Sequence, residues 1–291
     1  MEHESVEGHV TRETGSRIIA AAVPSRRAEP DQLEVCAAAA RAGGRVLSEW
    51  RGRFSVSPKG HRDVVTEADF AAQREIRRIV LDAFPDHGFV GEESLPEAEA
   101  TPANPAGLRW IVDPLDGTTN YVHGFPAYCV SVALARGDEL LVGAIYDPER
   151  DECFTARAGG GAFLDGRPIR AATFVDPNDA LVAVSFPPHV TVDSGAVTDF
   201  LAVVPHVHSV RRTGSTAINL AYIACGRLDA FWVRRIASWD VAAGLLLVAE
   251  AGGAIGPFAG GPAAPVSLDR PVFIAAATPG LLGELQRLLP P

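Results

Sequence analysis

The sequence predicts an α/β protein in two parts, with mostly antiparallel strands in the first part and alternating helices and strands in the second. Apolar residues recur at helical spacing near the start of the chain and then change to short, strand-like runs separated by turn residues. After residue 180, strand-like runs alternate with helical ones. The length of 291 residues allows two domains or one large two-part domain, and a hydrophobic fraction of 47% is enough for a substantial core.

Two amphipathic helices are expected near the start of the chain. Asp31 has the position of an N-cap for a helix that runs to about Trp50. Thr66 and Asp69 have the spacing of a capping box, and the apolar residues behind them recur at helical spacing. The second helix should end near Pro85, because proline does not continue a helix.

The segments after the second helix have the patterns of strands and turns. The first predicted strands, which should form antiparallel hairpins, are 128–135, 140–146, 153–156 and 162–164. In the second group, strands at 181–186, 228–233 and 272–276 alternate with helices near 215–225 and 240–251. We therefore expect one domain with two halves, 31–172 and 173–290, preceded by a flexible extension over 1–30.

The composition argues against several classes of protein. The net charge is −10 and there is no long Lys/Arg run, whereas nucleic-acid binders usually have a basic face. The four cysteines include no CxxC pair, so neither a zinc cluster nor a disulfide framework is expected. No apolar run approaches the roughly 20 residues that span a bilayer, and the acidic N-terminus does not resemble a signal peptide. We therefore expect a cytoplasmic protein without membrane or nucleic-acid partners.

Carboxylates lie at the end of an apolar run or at the start of a helix in three separate segments. The segments are GEES at 91–94, DPLDGTTN at 113–120 and WD at 239–240. Each acid also has an ordinary structural interpretation. Asp113 and Asp116 can cap a helix, and Glu92 can be a solvated loop acid. Asp240 has the position of an N-cap for the apolar helix that follows it.

The segment at 113–120 combines two carboxylates with a predicted anion site. Gly117 permits a tight turn, and the threonines after it suit the first turn of a helix, whose free N–H groups attract anions. Two carboxylates would repel an anion there unless a cation lay between them. Hard oxygen ligands in this arrangement favour Mg²⁺. A pair of such ions about 3.5–4 Å apart supports hydrolysis of a phosphate ester by an attacking water.

Four segments, in the same order, resemble the motifs of the inositol monophosphatase family. They are DVVTEAD at 63–69, GEES at 91–94, WIVDPLDGTTNYVHGFP at 110–126, and WDVAAG at 239–244 with EAGG at 250–253. A fifth, at 159–169, resembles the family's glycine-rich hairpin, so the resemblance covers about 31–285. It implies a layered αβαβα sandwich shared with fructose-1,6-bisphosphatases, with a largely antiparallel sheet in the N-terminal half and a mixed sheet in the C-terminal half. It also implies a lithium-sensitive, Mg²⁺-dependent phosphatase, usually dimeric, for which inositol monophosphate is the first substrate to test.

The resemblance further implies the residues of an active site. Two or three Mg²⁺ ions would be bound by Glu92, Asp113, the carbonyl group of Leu115, Asp116 and Asp240. The catalytic residues would be Glu92 and the pair Asp69 and Thr118, which orients and activates the attacking water. The substrate would contact Asp116, Gly117, Thr118, Gly214, Ser215 and Thr216. Lys59 resembles the family's lysine near the site, although its spacing differs by about one residue.

One departure from the family leaves the substrate open. Val233 lies where the family has an acid that meets substrate hydroxyls, and a valine side chain accepts no hydrogen bond. Arg234 and Arg235, which follow it, either favour a second anionic group or belong to the solvated surface. The expected partner is a small phosphorylated metabolite: an inositol monophosphate, or alternatively histidinol phosphate, fructose 1,6-bisphosphate or a 3′-phosphonucleotide. An alternative of another class is a regulatory binding protein of the same fold. A homodimer is expected.

Overall fold

The computed structural model describes residues 30–60, 63–94, 107–173, 176–187, 189–259, 261 and 266–289. The predicted extension over 1–30 therefore lies outside the described residues, except for Pro30. The helices of the described part are α1 (Gln32–Trp50), α2 (Glu67–Ala83), α3 (Thr118–Val122), α4 (Gly195–Val203), α5 (Thr216–Ala224), α6 (Ala242–Glu250) and α7 (Pro279–Leu288). The strands are β1 (Val56–Gly60), β2 (Asp63–Thr66), β3 (Gly88–Gly91), β4 (Leu108–Asp116), β5 (Cys129–Arg136), β6 (Glu139–Asp147), β7 (Glu152–Arg157), β8 (Gly161–Leu164), β9 (Arg167–Pro168), β10 (Leu181–Val184), β11 (Ser209–Arg211), β12 (Ala230–Val233), β13 (Ala254–Gly256) and β14 (Phe273–Ala276).

The first two helices begin where the sequence predicts. Asp31 accepts hydrogen bonds from the N–H groups of Leu33 and Glu34, which lack intrahelical partners at the start of α1. Thr66 caps α2 in a reciprocal capping box with Asp69. Because α1 and α2 pack on each other and on the sheet, the start of α2 and the Asp69 side chain have a fixed place beside β4.

The first half of the chain forms a seven-stranded sheet in the order β3-β4-β5-β6-β7-β8-β9. Its neighbouring strands are antiparallel, except for β3 and β4, which run parallel. The prediction of a largely antiparallel sheet is confirmed. The four predicted hairpin strands are β5 to β8, and their bounds differ from the prediction by at most one residue at either end.

The second half forms a five-stranded sheet in the order β11-β10-β12-β14-β13. Strand β10 runs parallel to β11 and to β12, whereas β14 runs antiparallel to β12 and to β13. The predicted mixed sheet is therefore also confirmed. Helix α5 is part of the alternation that the sequence indicates after residue 180. It connects β11 to β12 as a crossover helix and packs against α6.

The elements stack as five layers. Helices α1 and α2 cover one face of the seven-stranded sheet, α5 and α6 lie between the two sheets, and α7 covers the outer face of the five-stranded sheet. This is the predicted αβαβα sandwich. The apolar side chains between these layers form three clusters, whose fully buried members include Ile76 and Trp110, Leu220 and Leu247, and Ile274 and Leu285. Truncating such a side chain to alanine typically costs about 2–5 kcal/mol.

Some elements differ from the prediction. Helix α6 starts at Ala242, so Asp240 lies in the preceding turn and is not its N-cap. The Asp240 carboxylate instead accepts the N–H of Ala237 within that turn. The elements without a counterpart in the prediction are β1, β2, α4, β11, β13 and α7, and the division at residue 173 stays a prediction. No helix among the described residues has both the length and the apolar character that crossing a bilayer requires.

Candidate active site

Two of the predicted carboxylates lie at the C-terminal end of β4, where that strand has a bulge. Asp113 is in register with Ser131 and Asp116 with Cys129, so β4 has one residue more than β5 between these two pairs. In a regular strand, residues three apart point to opposite faces, and one extra residue returns them to the same face. The bulge therefore explains why both carboxylates line one pocket.

The parallel pairing of β3 and β4 brings Glu92 to the same place. Gly91, the last residue of β3, is in register with Val112, and the N–H of Glu92 donates to the Val112 carbonyl at 3.0 Å. The next residue of β4 is Asp113, so the two acids leave neighbouring strands side by side. Glu92 lines the pocket with the two aspartates of β4.

Asp240 reaches the pocket from the other half of the chain. It follows β12 and precedes α6, and its turn directs the carboxylate towards β4. One carboxylate oxygen from each of Asp113, Asp116 and Asp240 lies within 4.8 Å of the other two. Acids from two distant segments of the sequence therefore lie together, and Glu92 lines the same pocket.

The carboxylates form the floor of a pocket of about 480 Å³. Predicted site residues in its lining are Glu92, Asp113, Leu115, Asp116, Gly117, Thr118, Gly214 and Asp240. The remaining wall consists of Thr119, Asn120, Phe186, Pro187, Val190 and Arg212. The predicted residues Asp69, Ser215 and Thr216 are buried behind this lining.

It is energetically unfavourable for all three aspartates to be ionised at once. Burial raises the pKa of Asp113 well above its ordinary value, and repulsion from Glu92 and the other two aspartates raises it further. Burial and neighbouring carboxylates also raise the pKa values of Asp116 and Asp240. Either protons or a cation must compensate this charge.

The donor set fits a hard divalent cation. The Oδ1 atom of Asp113 accepts the Leu115 N–H at 2.9 Å, whereas its Oδ2 atom is buried and has no hydrogen-bond partner among the described residues. A buried, unpartnered carboxylate oxygen costs free energy unless it is protonated or binds a cation. Carboxylate and carbonyl oxygens are the ligands that Mg²⁺ prefers. The residues present therefore fit Mg²⁺.

Ser215 holds Asp116 from behind. The Oδ2 atom of Asp116 accepts the Ser215 hydroxyl at 2.6 Å and the Ala217 N–H at 2.6 Å. Ser215 is also the N-cap of α5, because its Oγ accepts the N–H of Ile218. One oxygen of Asp116 is thus occupied by the start of α5, and the other remains for the pocket. This contact was not predicted, since the motif indicated Ser215 only as a substrate contact.

The Asp69 carboxylate contacts both groups that the sequence indicated for it, the N-terminus of α2 and the hydroxyl of Thr118. Its Oδ2 atom accepts the Thr66 N–H at 2.9 Å and the Thr66 hydroxyl at 2.7 Å, which confirms the capping box. Its Oδ1 atom lies 3.3 Å from the hydroxyl of Thr118, which also lies 3.1 Å from the Leu115 carbonyl. Burial raises the pKa of Asp69 to about 6, despite the opposing hydrogen bonds from Thr66.

Lys59 contacts the glutamate motif from β1. Its ammonium group lies 2.7 Å from Glu92 Oε1 and 2.5 Å from Glu93 Oε1. Burial alone would lower the pKa of Lys59, but the two glutamates raise it, so the side chain is a permanent cation. Glu93 is almost fully buried, and burial raises its pKa to about 7. The sequence indicated a lysine near the site but gave Glu93 no role.

The turn between β4 and α3 requires a glycine. Gly117 has φ +102°, and a Cβ atom there would lie 2.9 Å from the Ala127 carbonyl oxygen. Asn120, one turn later, donates to the carbonyls of Ala127 at 2.6 Å and Thr213 at 2.8 Å. Asn120 thereby connects this turn to the loop that carries Gly214. Its role was not predicted from the sequence.

The structure shows where Val233 and the arginine after it lie relative to the pocket. Val233 is buried at the end of β12 and does not line the pocket. The guanidinium of Arg234 bonds both oxygens of the buried Asp199, at 2.6 and 2.8 Å, and lies 4.1 Å from the ring centroid of Phe258. Arg234 is therefore bound within the protein, and Arg212 is the arginine that lines the pocket.

The chain is similar to proteins of one known family. The model of the inositol monophosphatase family matches residues 29–289. The chain is 43% identical over 201 residues to an inositol-1-monophosphatase of Rhizobium meliloti (strain 1021), which spans 69% of this chain and 74% of that one. It is 36% identical over 269 residues to the Nus factor SuhB of Pseudomonas aeruginosa, spanning 89% and 97% of the two chains. The crystal structure of the extragenic suppressor protein suhB from Bartonella henselae superposes with a TM-score of 0.79 at 36% identity, over 88% of this chain and 97% of that one.

Proposed function

The chain belongs to the inositol monophosphatase family, and from that premise we propose that it is a Mg²⁺-dependent phosphatase of a small phosphate monoester, with inositol monophosphate as the first candidate. The observation that carries the proposal is the convergence of Asp113, Asp116 and Asp240, whose carboxylate oxygens lie within 4.8 Å of one another. A chain that only keeps the fold has no physical need for two buried acids and a third, partly buried one that repel one another.

The acids and one carbonyl group would hold two or three Mg²⁺ ions. The proposed ligands are Glu92, Asp113, the carbonyl of Leu115, Asp116 and Asp240. Mg²⁺ supplies the positive charge that makes water more acidic and that stabilises the leaving oxygen. Lithium should inhibit by competing for these ligands, as in the family.

Thr118 and Asp69 are proposed to position and activate the attacking water. When the Thr118 hydroxyl donates to Asp69, its oxygen is free to accept a hydrogen bond from water. The raised pKa of Asp69, about 6, makes it a stronger base than an ordinary aspartate. Water, threonine and aspartate then form a path for the proton that the water loses.

The phosphate and the alcohol are proposed to bind at opposite sides of the carboxylates. The N–H groups of Gly117 and Thr118, at the start of α3, would hold phosphate oxygens. The Gly214 loop would meet the alcohol, and Ser215 and Thr216 support that loop from behind. The substrate roles of these residues are proposals.

The alcohol part of the substrate is open to a direct test. Because Val233 offers no acceptor for hydroxyl groups and Arg212 lines the pocket, substrates with a second anionic group are the main competitors. A phosphate-release panel with Mg²⁺ should include inositol 1-phosphate, histidinol phosphate, fructose 1,6-bisphosphate and a 3′-phosphonucleotide. We expect inositol 1-phosphate to give the highest kcat/KM; a higher value for another member would replace it as the substrate.

A regulatory function is the second candidate. Several relatives are described as Nus factor SuhB, including one of Escherichia coli (strain K12) that is 37% identical over 236 residues. Absence of turnover on the whole panel, together with specific capture of RNA polymerase, would favour this function over catalysis. We further propose a homodimer in the cytoplasm, which sedimentation and fractionation of cells can test.

A further inference from the structure

The side-chain amide of Gln73 in α2 makes two hydrogen bonds to one residue of the glutamate motif. Its Nε2 atom donates to the Glu93 carbonyl at 2.6 Å, and its Oε1 atom accepts the Glu93 N–H at 2.9 Å. Gln73 is 1% exposed, so both bonds are shielded from water. An amide that satisfies both groups of one peptide residue fixes the position and the direction of that backbone.

Gly91 provides the space for this amide. A Cβ atom on Gly91 would lie 2.2 Å from Gln73 Oε1 and 2.5 Å from its Cδ. Because φ at Gly91 is not in the left-handed region, the backbone conformation alone does not call for glycine there. The glycine that precedes Glu92 is therefore explained by the approach of the Gln73 amide.

Glu92 lies between two fixed points. On one side its own N–H bonds the Val112 carbonyl at 3.0 Å, which continues the pairing of β3 with β4. On the other side Glu93 is held by Gln73. Glu92, which follows the last residue of β3, is therefore restrained by backbone hydrogen bonds on both sides.

We propose that Gln73 is a positioning residue for the metal site: its amide fixes the backbone of Glu93 so that the Glu92 carboxylate faces the site of Asp113. The inference rests on the proposed function, because it assumes that Glu92 is a ligand. Partners that orient a metal ligand typically contribute about 10–100-fold to metal affinity. A purely structural Gln73 would contribute to folding alone.

The test is the Mg²⁺ dependence of thermal stability, measured on the full chain without substrate. Gln73→Met keeps the length of the side chain and removes both hydrogen bonds. We expect the Mg²⁺ concentration at the midpoint of the Tm increase to rise about tenfold or more. Gln286→Met is the matched control, since it makes the same change at an amide that bonds the carbonyls of Pro257 and Gly261, remote from the pocket. Its midpoint should equal that of the wild type.

Gly91→Ala tests the same contact without changing Gln73. The added Cβ displaces the amide, so this variant should shift the Mg²⁺ midpoint in the same direction, and the double variant should show less than the sum of the two effects. An unchanged midpoint in folded Gln73→Met or Gly91→Ala, with only a lower Tm, overturns the proposal and leaves Gln73 a structural role. If the Tm of the wild type itself does not respond to Mg²⁺, the proposed metal site is wrong, and the proposed function fails together with the role of Gln73.

Discussion

The hydroxyl of Ser215 lies 2.6 Å from Oδ2 of Asp116, although 99 residues separate them in the sequence. This contact joins the N-terminus of α5 to the end of β4, and so connects the two sheets' layers at the proposed metal site. It also changes what is expected of Ser215. A serine that orients a carboxylate affects metal binding first and substrate binding second.

Ser215→Ala should raise the Mg²⁺ concentration required for half-maximal activity about tenfold, because Asp116 loses one of the donors that orient it. The KM for substrate at saturating Mg²⁺ should change little. Titration of phosphate release with Mg²⁺ measures both quantities. A large increase in KM with an unchanged Mg²⁺ requirement would instead make Ser215 a substrate contact.

Thr278→Ala is the matched control for this variant. Thr278 caps α7 as Ser215 caps α5, by accepting an N–H group three residues later. Both substitutions should therefore lower the free energy of unfolding by about 1 kcal/mol. Only Ser215→Ala should alter the response to Mg²⁺.

Asp113→Asn should lower kcat/KM by about 100-fold or more and weaken Mg²⁺ binding, because the substitution removes one negative charge from the proposed ligand set. Without Mg²⁺ the variant should be at least as stable as the wild type, since burial and neighbouring acids raise the pKa of Asp113 and make its charge unfavourable. Kinetics and thermal unfolding in EDTA test the two statements. Near-normal turnover would remove Asp113 from the active site.

Thr118→Val should lower kcat by roughly 100-fold, because valine keeps the shape of the side chain and loses the hydroxyl that contacts Asp69. Thr118→Ser retains the hydroxyl and should recover most of the activity. The Mg²⁺ midpoint of the Tm increase should be the same in both variants. Equal activities of the valine and serine variants would show that the hydroxyl has no part in the reaction.

His87 should make stability depend on pH. The ring is buried and stacks on Phe84 at a centroid distance of 4.8 Å, and its Nδ1 atom has no hydrogen-bond partner among the described residues. Burial lowers its pKa in the folded protein, so the unfolded chain binds more protons as the pH falls below about 6.5. The free energy of unfolding should therefore be unaffected by His87 above that pH, and it should decrease as the pH falls further.

His87→Phe retains the stacking and removes the titration. The wild type should lose stability relative to this variant between about pH 7 and pH 5, as measured by urea unfolding. His208→Asn, at an exposed histidine, should follow the wild type. A constant difference between wild type and His87→Phe across this range would contradict the account.

Local signals allowed much of the fold to be predicted. The caps at Asp31 and Thr66 involve residues two or three positions apart, so the sequence pattern contains them directly. The hairpin strands β5 to β8 are short, mainly apolar runs separated by turn residues, and these signals depend little on the rest of the chain. The start of α6 was misplaced because Asp240 has the local pattern of an N-cap, whereas its carboxylate belongs to a turn that faces β4.

The supporting contacts of the site could not be predicted in the same way. Gln73 and Glu93 are 20 residues apart, Lys59 and Glu93 are 34 apart, and Asp116 and Ser215 are 99 apart. Only tertiary structure, such as the packing of α2 on β4 and of α5 on β5, brings these groups together. The acids themselves were identified from motifs, but the side chains that orient them were not.

Diffraction from crystals grown with Mn²⁺ in place of Mg²⁺ tests the central claim most directly, because anomalous scattering locates the metal without any assumption about activity. The account predicts at least one strong anomalous peak within coordination distance of Asp113, shared with Asp116, Asp240 or Glu92. Peaks only elsewhere on the surface, with the three aspartates free of metal in well-ordered density, would contradict it.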